Sequence, residues 1–372
     1  MVKEIDLTAG HCSSITEAEV RSMAYTIGQI RPIAKRYGIN AKLRDGPYKP
    51  RTELRNGGKR NFEGVGPDGL KWMGRAANDF KVPVAAEIMS QTDLRYFFGN
   101  LDVRRDMIWA GARDSQGYGL LAFMGLTPFS AMVKNPMQGT LPNEAKGSLE
   151  RFTEPTEDEN ILREYRRLVG EYETAFMKNP DKVLAYCIRG QSWPIGPDGR
   201  IAMNEKERLL KKPYQHSGSR NVNNIETIHA LREHPFFQEH GIKIVYDPSH
   251  VFGGTPNGSG VSANHLKRLI GEYAIKAITE FGFDALLIEV HDTSGDAKTD
   301  KDQALVTTYA GIDYARTNMV EEPTPHEKPL SLVDIVKALI MDRVARKMTD
   351  VTPQQLSMDM AALDNIRWNM SP

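Results

Sequence analysis

Two sets of side chains in this sequence have the types to do chemistry. The first is Cys12, His250, Glu289 and Asp300. One thiolate, one imidazole and two carboxylates would form a mixed S/N/O shell, which suits Mn, Fe, Co or Zn better than Mg or Ca. No short ligand spacing supports that grouping. Singly, the cysteine reads as a small core residue and the histidine as a hydrogen-bonded structural one. The second set is cationic: Arg51, Arg113, Lys134 and Arg189, with Lys49 nearby. Each could pair with an acid such as Glu87 or Asp247. Gathered at one opening, however, they would repel one another unless anions filled the space. A substrate rich in phosphate and carboxylate meets that need, because guanidinium forks bind both anions in bidentate fashion. No Walker or GxGxxG sequence is present, so nothing points to a P-loop or a dinucleotide fingerprint.

What could bring these residues together is a repeated unit. Eight short apolar runs read as strands: "KEIDLTAG" (3–10), "NAKLRDGP" (40–47), "VPVAAEI" (82–88), "DMIWAGA" (106–112), "PFSAMVK" (128–134), "VLAYCIR" (183–189), "KIVYDPSH" (243–250) and "ALLIEVH" (285–291). Helical patterns lie between them at 16–37, 67–80, 91–101, 141–180, 224–240 and 262–281, and Ser14-Ile15-Thr16-Glu17 fits a capping box before the first. Alternating strands and helices, eight times over, predict an α/β (β/α)8 barrel; an open doubly wound sheet is the alternative, and the count favours closure. In such a barrel the functional groups sit at the C-terminal ends of the strands. In chain order, the predicted strands end at or run into Cys12, the "KPRT" of 49–52, Glu87, Arg113, Lys134, Arg189, Asp247 with His250, and Glu289 with His291. An ionisable or metal-binding group at every strand end is more than chance placement explains.

Two pieces exceed a minimal barrel. The connection at 138–180, between the fifth and sixth strands, is long and charged. Beyond a linker-like "VEEPTPHEKP" (320–329), Leu332, Val333, Val336, Leu339, Ile340 and Val344 fall on one side of a helix, for packing on the barrel or for an oligomer contact. The expected division is a catalytic barrel over 1–320 and a linker with a C-terminal helical extension over 321–372. The 372 residues carry 48 basic and 48 acidic side chains, which gives no reason to expect nucleic acid or an anionic membrane as a partner. No apolar run approaches the ~20 residues of a membrane span, and the first ten residues lack the apolar core of a signal peptide. Two cysteines are too few for a disulfide framework and fit a reducing compartment. A cytoplasmic protein is expected.

The ordered stretches "AGHCSS" (9–14), "KPRT" (49–52), "FEGVG" (62–66), "VPVAAEIM" (82–89), "GARDSQ" (111–116), "AMVKNPM" (131–137), "IRG" (188–190), "SRN" (219–221), "DPSH" (247–250), "IEVH" (288–291) and "TDKDQAL" (299–305) carry a resemblance. The sequence resembles the phosphoenolpyruvate-dependent 3-deoxy-ulosonate synthases. "KPRT" makes it most similar to their 3-deoxy-D-arabino-heptulosonate 7-phosphate (DAHP) synthase branch. The resemblance implies a transferase that condenses phosphoenolpyruvate with an aldose phosphate, erythrose 4-phosphate foremost, at the entry to the shikimate pathway of aromatic amino acid biosynthesis. It implies that Arg51, Arg113, Lys134 and Arg189 hold phosphoenolpyruvate. Lys49, Arg51, Thr52 and Arg220 would serve the aldehyde. Cys12, His250, Glu289 and Asp300 match the four ligands of a divalent metal, manganese foremost, and Lys134, Asp247 and His250 are the candidates for moving protons. A homo-oligomer, dimer or tetramer, is expected.

The sequence also departs from that family's pattern. His11 stands where the family usually has Pro; "KNP" (134–136), "IRG" (188–190) and "SRNVNN" (219–224) replace the family's "KRG", "ERG" and "TRNTLD". These changes spare the phosphoenolpyruvate and metal positions and fall near the aldehyde side. Two rival expectations follow: a homologue that condenses phosphoenolpyruvate with a different aldehyde in a specialised natural-product pathway, and a non-catalytic barrel subunit.

Overall fold

The computed structural model describes residues 3–11, 14, 16–47, 51–55, 58–62, 65–88, 91–110, 127–134, 184–188, 225, 227–233, 237–238, 241–252, 263–291, 305–306 and 329–366. In chain order the strands are β1 (Ile5–Gly10), β2 (Ile39–Arg44), β3 (Arg51–Arg55), β4 (Gly58–Phe62), β5 (Val84–Ile88), β6 (Met107–Ala110), β7 (Ser130–Lys134), β8 (Leu184–Ile188), β9 (Lys243–Tyr246), β10 (Ala285–His291) and β11 (Leu305–Val306). The helices are α1 (Glu17–Arg36), α2 (Pro67–Asp79), α3 (Gln91–Asn100), α4 (Thr227–Glu233), α5 (Pro248–Phe252), α6 (Ala263–Thr279), α7 (Leu332–Ala345) and α8 (Pro353–Asp364).

Eight strands pair in parallel in the order β1-β2-β5-β6-β7-β8-β9-β10, and β1 pairs with β10 to close the ring; β11 adds to β10. The predicted (β/α)8 barrel is therefore the fold, and each of its eight strands lies on one of the eight apolar runs. Period-two alternation sorts the side chains of those strands. Leu7, Ala9, Ala41, Leu43, Ala86, Ile108, Ile188, Ile244, Leu286 and Ile288 join the helices in one apolar cluster. Ala85, Met107, Trp109, Met132, Ala185, Cys187, Val245, Ala285 and Leu287 form a second, which fills the inside of the barrel. Strands buried on both faces explain why the runs read as continuous apolar stretches.

At the N-terminal end, Asp6 closes the interior with charge. Its carboxylate lies 3.1 Å from Lys42 Nζ and 2.7 Å from Lys243 Nζ, and accepts from Asn40 at 2.9 Å. Burial pushes the Asp6 carboxyl up, but the two ammonium groups outweigh it and hold the group below the usual range. Charges at this end of a barrel serve the fold rather than the reaction.

Three local expectations need correction. The capping box of α1 is formed by Thr16 and Glu19, each side chain bonding the other's backbone N–H at 3.1–3.2 Å, and not by Ser14 and Glu17. Ser14 is taken by another partner, described below. The chain after the second strand does not simply run on as a loop through "KPRT": β3 and β4 form an antiparallel hairpin in which Arg55 pairs with Gly58. Asn56-Gly57 between them is a hairpin signal, but the flanking "RTELR" and "GKRNF" lack the apolar alternation that marks a strand. The predicted strand 243–250 ends at Tyr246, because Pro248 cannot donate to a ladder and instead opens α5.

The C-terminal helices use their apolar faces within the chain. Leu332, Val333, Ile335, Val336, Leu339 and Ile340 of α7 are buried against α6 and α1, each side chain contributing roughly 1.5–3 kcal/mol of transfer free energy. Helix α8 is pinned to the end of α1 by Asp359, which accepts from Arg36, from Tyr37 Oη at 2.9 Å and from Gln355 at 2.9 Å. Burial and the bond to Asp359 push the Tyr37 phenol up to about 12. Asp359→Ala is expected to lower stability by about 1–3 kcal/mol, since it strips charged hydrogen bonds from three donors; chemical denaturation measures it. The predicted helix at 141–180 and the linker at 320–328 lie outside the described residues. Among the described residues, no helix is long and apolar enough to cross a membrane.

Candidate active site

The C-terminal ends of β9, β10 and β2 meet around three buried charged groups. The first is on the short helix α5. Asp247 Oδ1 accepts the backbone N–H of His250 at 3.1 Å, the contact an N-cap makes with the third helical residue. That cap turns His250 back over the barrel mouth, and its Nδ1 lies 2.8 Å from Asp247 Oδ2. The neighbouring Ser249 hydroxyl accepts the backbone N–H of Glu289 at 2.9 Å, which ties α5 to the end of β10. His250 Nε2 then stands 3.5 Å from Glu289 Oε1.

The same Glu289 Oε1 is met by Arg44, the last residue of β2, whose Nη2 donates to it at 2.7 Å. Both residues are 1% exposed. The Arg44 guanidinium lies over the Trp109 ring, 5.8 Å from its centroid. Burial pushes the Glu289 carboxyl up, but the Arg44 charge, joined by that of His250 when its ring is protonated, prevails and brings it down to about 2. Glu289 is thus an anion at any working pH. Its Oε2 is buried and has no hydrogen-bond partner among the described residues.

Two members of this set have the donor types that could hold a cation. Asp247 Oδ2 faces His250 Nδ1 at 2.8 Å, a contact that is attractive when Nδ1 carries the ring proton. A neutral ring then presents the Nε2 lone pair to a carboxylate oxygen, which is repulsive unless a proton or a metal ion lies between them. His250 Nε2 and the Glu289 carboxylate are the two groups here that could hold such an ion. Asp247 takes the place of the carboxylate that commonly orients a metal-binding histidine from behind.

A second cluster ties β1 to β2. Asp45 Oδ1 accepts the backbone N–H groups of Ser14 at 2.8 Å and Gly46 at 2.7 Å, and Oδ2 accepts the Ser14 hydroxyl at 2.6 Å. His11 Nδ1 is 2.9 Å from Ser14 Oγ, and with the hydroxyl proton spent on Asp45 the imidazole is the donor. His11, Ser14 and Asp45 are fully buried. The order is His–Ser–Asp, with the hydroxyl bound to the carboxylate, so it is a structural clasp rather than a nucleophile with its base.

Of the sequence-predicted site residues, the structure brings together Asp247, His250 and Glu289. Glu87 is buried at the end of β5. Arg51 and Thr52 lie on β3, and Lys134 ends β7 in register with Cys187. Cys12, Lys49, Arg113, Arg189, Arg220 and Asp300 lie outside the described residues. Among the described residues no group of three or more His, Cys, Asp and Glu side chains is arranged to hold a metal. Sequence reasoning missed Arg44 and Trp109. The signal for Arg44 was present: Lys42 and Arg44 alternate with Ala41 and Leu43, as inward charges in a barrel strand do.

No family model matches the chain. A segment of 135 residues is 30% identical to phospho-2-dehydro-3-deoxyheptonate aldolase of Thermotoga maritima, covering 36% of this chain and 35% of that protein. The chain is similar to DAHP synthases. The crystal structure of phospho-2-dehydro-3-deoxyheptonate aldolase (DAHP synthase) from Thermotoga maritima shares the fold, with a TM-score of 0.51 and 21% identity over 82% of this chain and 65% of that one. The match thus spans about a third of the length of the curated relative. The resemblance read from "KPRT", "DPSH" and the other stretches falls on the same proteins as these comparisons.

Proposed function

We propose that the protein condenses phosphoenolpyruvate with an aldose phosphate at the C-terminal mouth of the barrel, as a metal-dependent DAHP synthase-like transferase. The observation that carries this reading is the convergence of Asp247, His250 and Glu289 on adjacent strand ends, with Glu289 Oε2 buried and unpartnered among the described residues, in a chain similar to DAHP synthases. His250 Nε2 and Glu289 would hold the metal, joined by Cys12 and Asp300 by resemblance. The donor set fits a divalent ion of the Mn, Fe, Co or Zn kind, manganese foremost. Such an ion, when bound, supplies Lewis-acid polarisation of an aldehyde oxygen.

The chain's own groups do the rest. Arg51, Arg113, Lys134 and Arg189 neutralise and orient phosphoenolpyruvate, while Lys49, Arg51, Thr52 and Arg220 receive the aldose phosphate. Holding both reactants converts an encounter into a near-unimolecular step. C3 of phosphoenolpyruvate bonds to the aldehyde carbon, water adds at C2, and phosphate leaves by C–O cleavage. By resemblance, Lys134 and the Asp247–His250 pair would move the protons.

A second reading keeps phosphoenolpyruvate and changes the aldehyde. It is favoured by "KNP", "IRG" and "SRNVNN", which alter the aldehyde side and spare the rest. Phosphate release from phosphoenolpyruvate with erythrose 4-phosphate and Mn²⁺ tests the two. Turnover supports the first reading. No release with this aldose, but release with another aldehyde in a screen, supports the second. Failure to bind phosphoenolpyruvate at all leaves only a non-catalytic barrel.

A further inference from the structure

We propose that Arg44 is a positioning residue for this reaction, fixing the carboxylate of Glu289 for a divalent cation from two strands away. The inference rests on the reading of Glu289 as a metal ligand. Strand β1 lies between β2 and β10, so the Arg44–Glu289 bond must cross it. The crossing point is Gly10, which pairs with Glu289 in the β1–β10 register. Glycine leaves no side chain in the way. Trp109, from β6, backs the guanidinium.

A glutamate carboxylate otherwise rotates freely about its last torsion. Here one oxygen is bonded to a planar donor that is itself buried, and the backbone N–H is bonded to Ser249 Oγ. Glu289 is thereby held at both ends while Oε2 has no partner among the described residues. A guanidinium beside a cation site repels the cation, so attraction is not what Arg44 contributes; orientation is. The sign of the effect therefore separates two roles. If Arg44 is only a nearby charge, removing it tightens metal binding. If it positions Glu289, removing it weakens metal binding by about 10–100-fold, the range for partners that orient metal ligands.

The test is Mn²⁺ affinity of the full chain, read from the free-ion electron paramagnetic resonance signal, for the parent, Arg44→Met, Arg44→Lys, Glu289→Gln and the Arg44→Met/Glu289→Gln pair. The double variant removes both charges together, a change that buried ion pairs tolerate better than loss of one partner. Arg44→Met is expected to weaken binding about 10–100-fold and Arg44→Lys by less. In the Glu289→Gln background, Arg44→Met is expected to add nothing. Unchanged or tighter binding by Arg44→Met overturns the proposal, as does a full Arg44 penalty in the Glu289→Gln background. Should Arg44→Met fail to fold, parental affinity in Arg44→Lys overturns it as well. Unchanged affinity in Glu289→Gln alone refutes instead the reading of Glu289 as a ligand.

Discussion

His250→Ala is expected to lower the rate of the proposed Mn²⁺-dependent condensation by on the order of a thousandfold while leaving the barrel folded. The size follows from what the ring holds in place. A Lewis acid contributes several kcal/mol to such a step, and each 1.4 kcal/mol is tenfold in rate. His250 is 4% exposed and sits between two carboxylates, with Asp247 Oδ2 at 2.8 Å on one ring nitrogen and Glu289 Oε1 at 3.5 Å on the other. Removing the imidazole leaves those two acids facing each other with one donor fewer. Asp247→Asn is the informative companion. It keeps a capping oxygen for α5 but removes the charge behind the ring, and a loss of only 10–100-fold is expected. Steady-state phosphate release, with circular dichroism to verify the fold, measures both. A rate within threefold of the parent for His250→Ala would remove this histidine from the site.

Gly10→Ala is expected to be the most damaging small substitution among the described residues of the barrel. Gly10 has φ of +148°, in the region open mainly to glycine, and a Cβ there would stand 2.2 Å from the Arg44 carbonyl oxygen. That oxygen is backbone and belongs to the neighbouring strand, so no rotamer change relieves the contact. Backbone strain alone costs about 1–3 kcal/mol, and the collision must also spread β1 from β2. The same displacement would disturb Arg44, and through it Glu289, because all three lie side by side across the closed ring. The expected result is a large fall in thermal stability together with weakened Mn²⁺ binding. Gly10→Ala with parental melting temperature would mean that the strands part there without cost.

Much of the fold was legible because burial on both faces leaves a strong mark. Eight apolar runs of strand length, separated by helical periods, leave few closed arrangements, and each run became a barrel strand. Elements without that mark were lost or displaced. The polar hairpin at 51–62 shows no apolar alternation in its sequence to read, and the strand at 243–250 was drawn too long because Ile244, Val245 and Tyr246 say nothing of where Pro248 turns the chain. Ser14 shows the same limit. Its position before a helix suggests a cap, but Asp45, 31 residues away in the chain, takes its hydroxyl.

By itself the sequence determined which chemistry was available: Asp247, Ser249 and His250 directly after a buried strand, Glu289 near the end of another, and a supply of cations at further strand ends. Strand alternation and the strand-end rule of barrels are local properties, so they can be read along the chain. Tertiary structure alone decided how these groups face one another. It set Asp247 behind His250, placed Ser249 under the backbone of Glu289, and carried Arg44 across Gly10 to the Glu289 carboxylate. The physical reason is closure. Residues 44 and 289 are 245 positions apart, and only the pairing of the first strand with the last brings a buried guanidinium and a buried carboxylate within 2.7 Å.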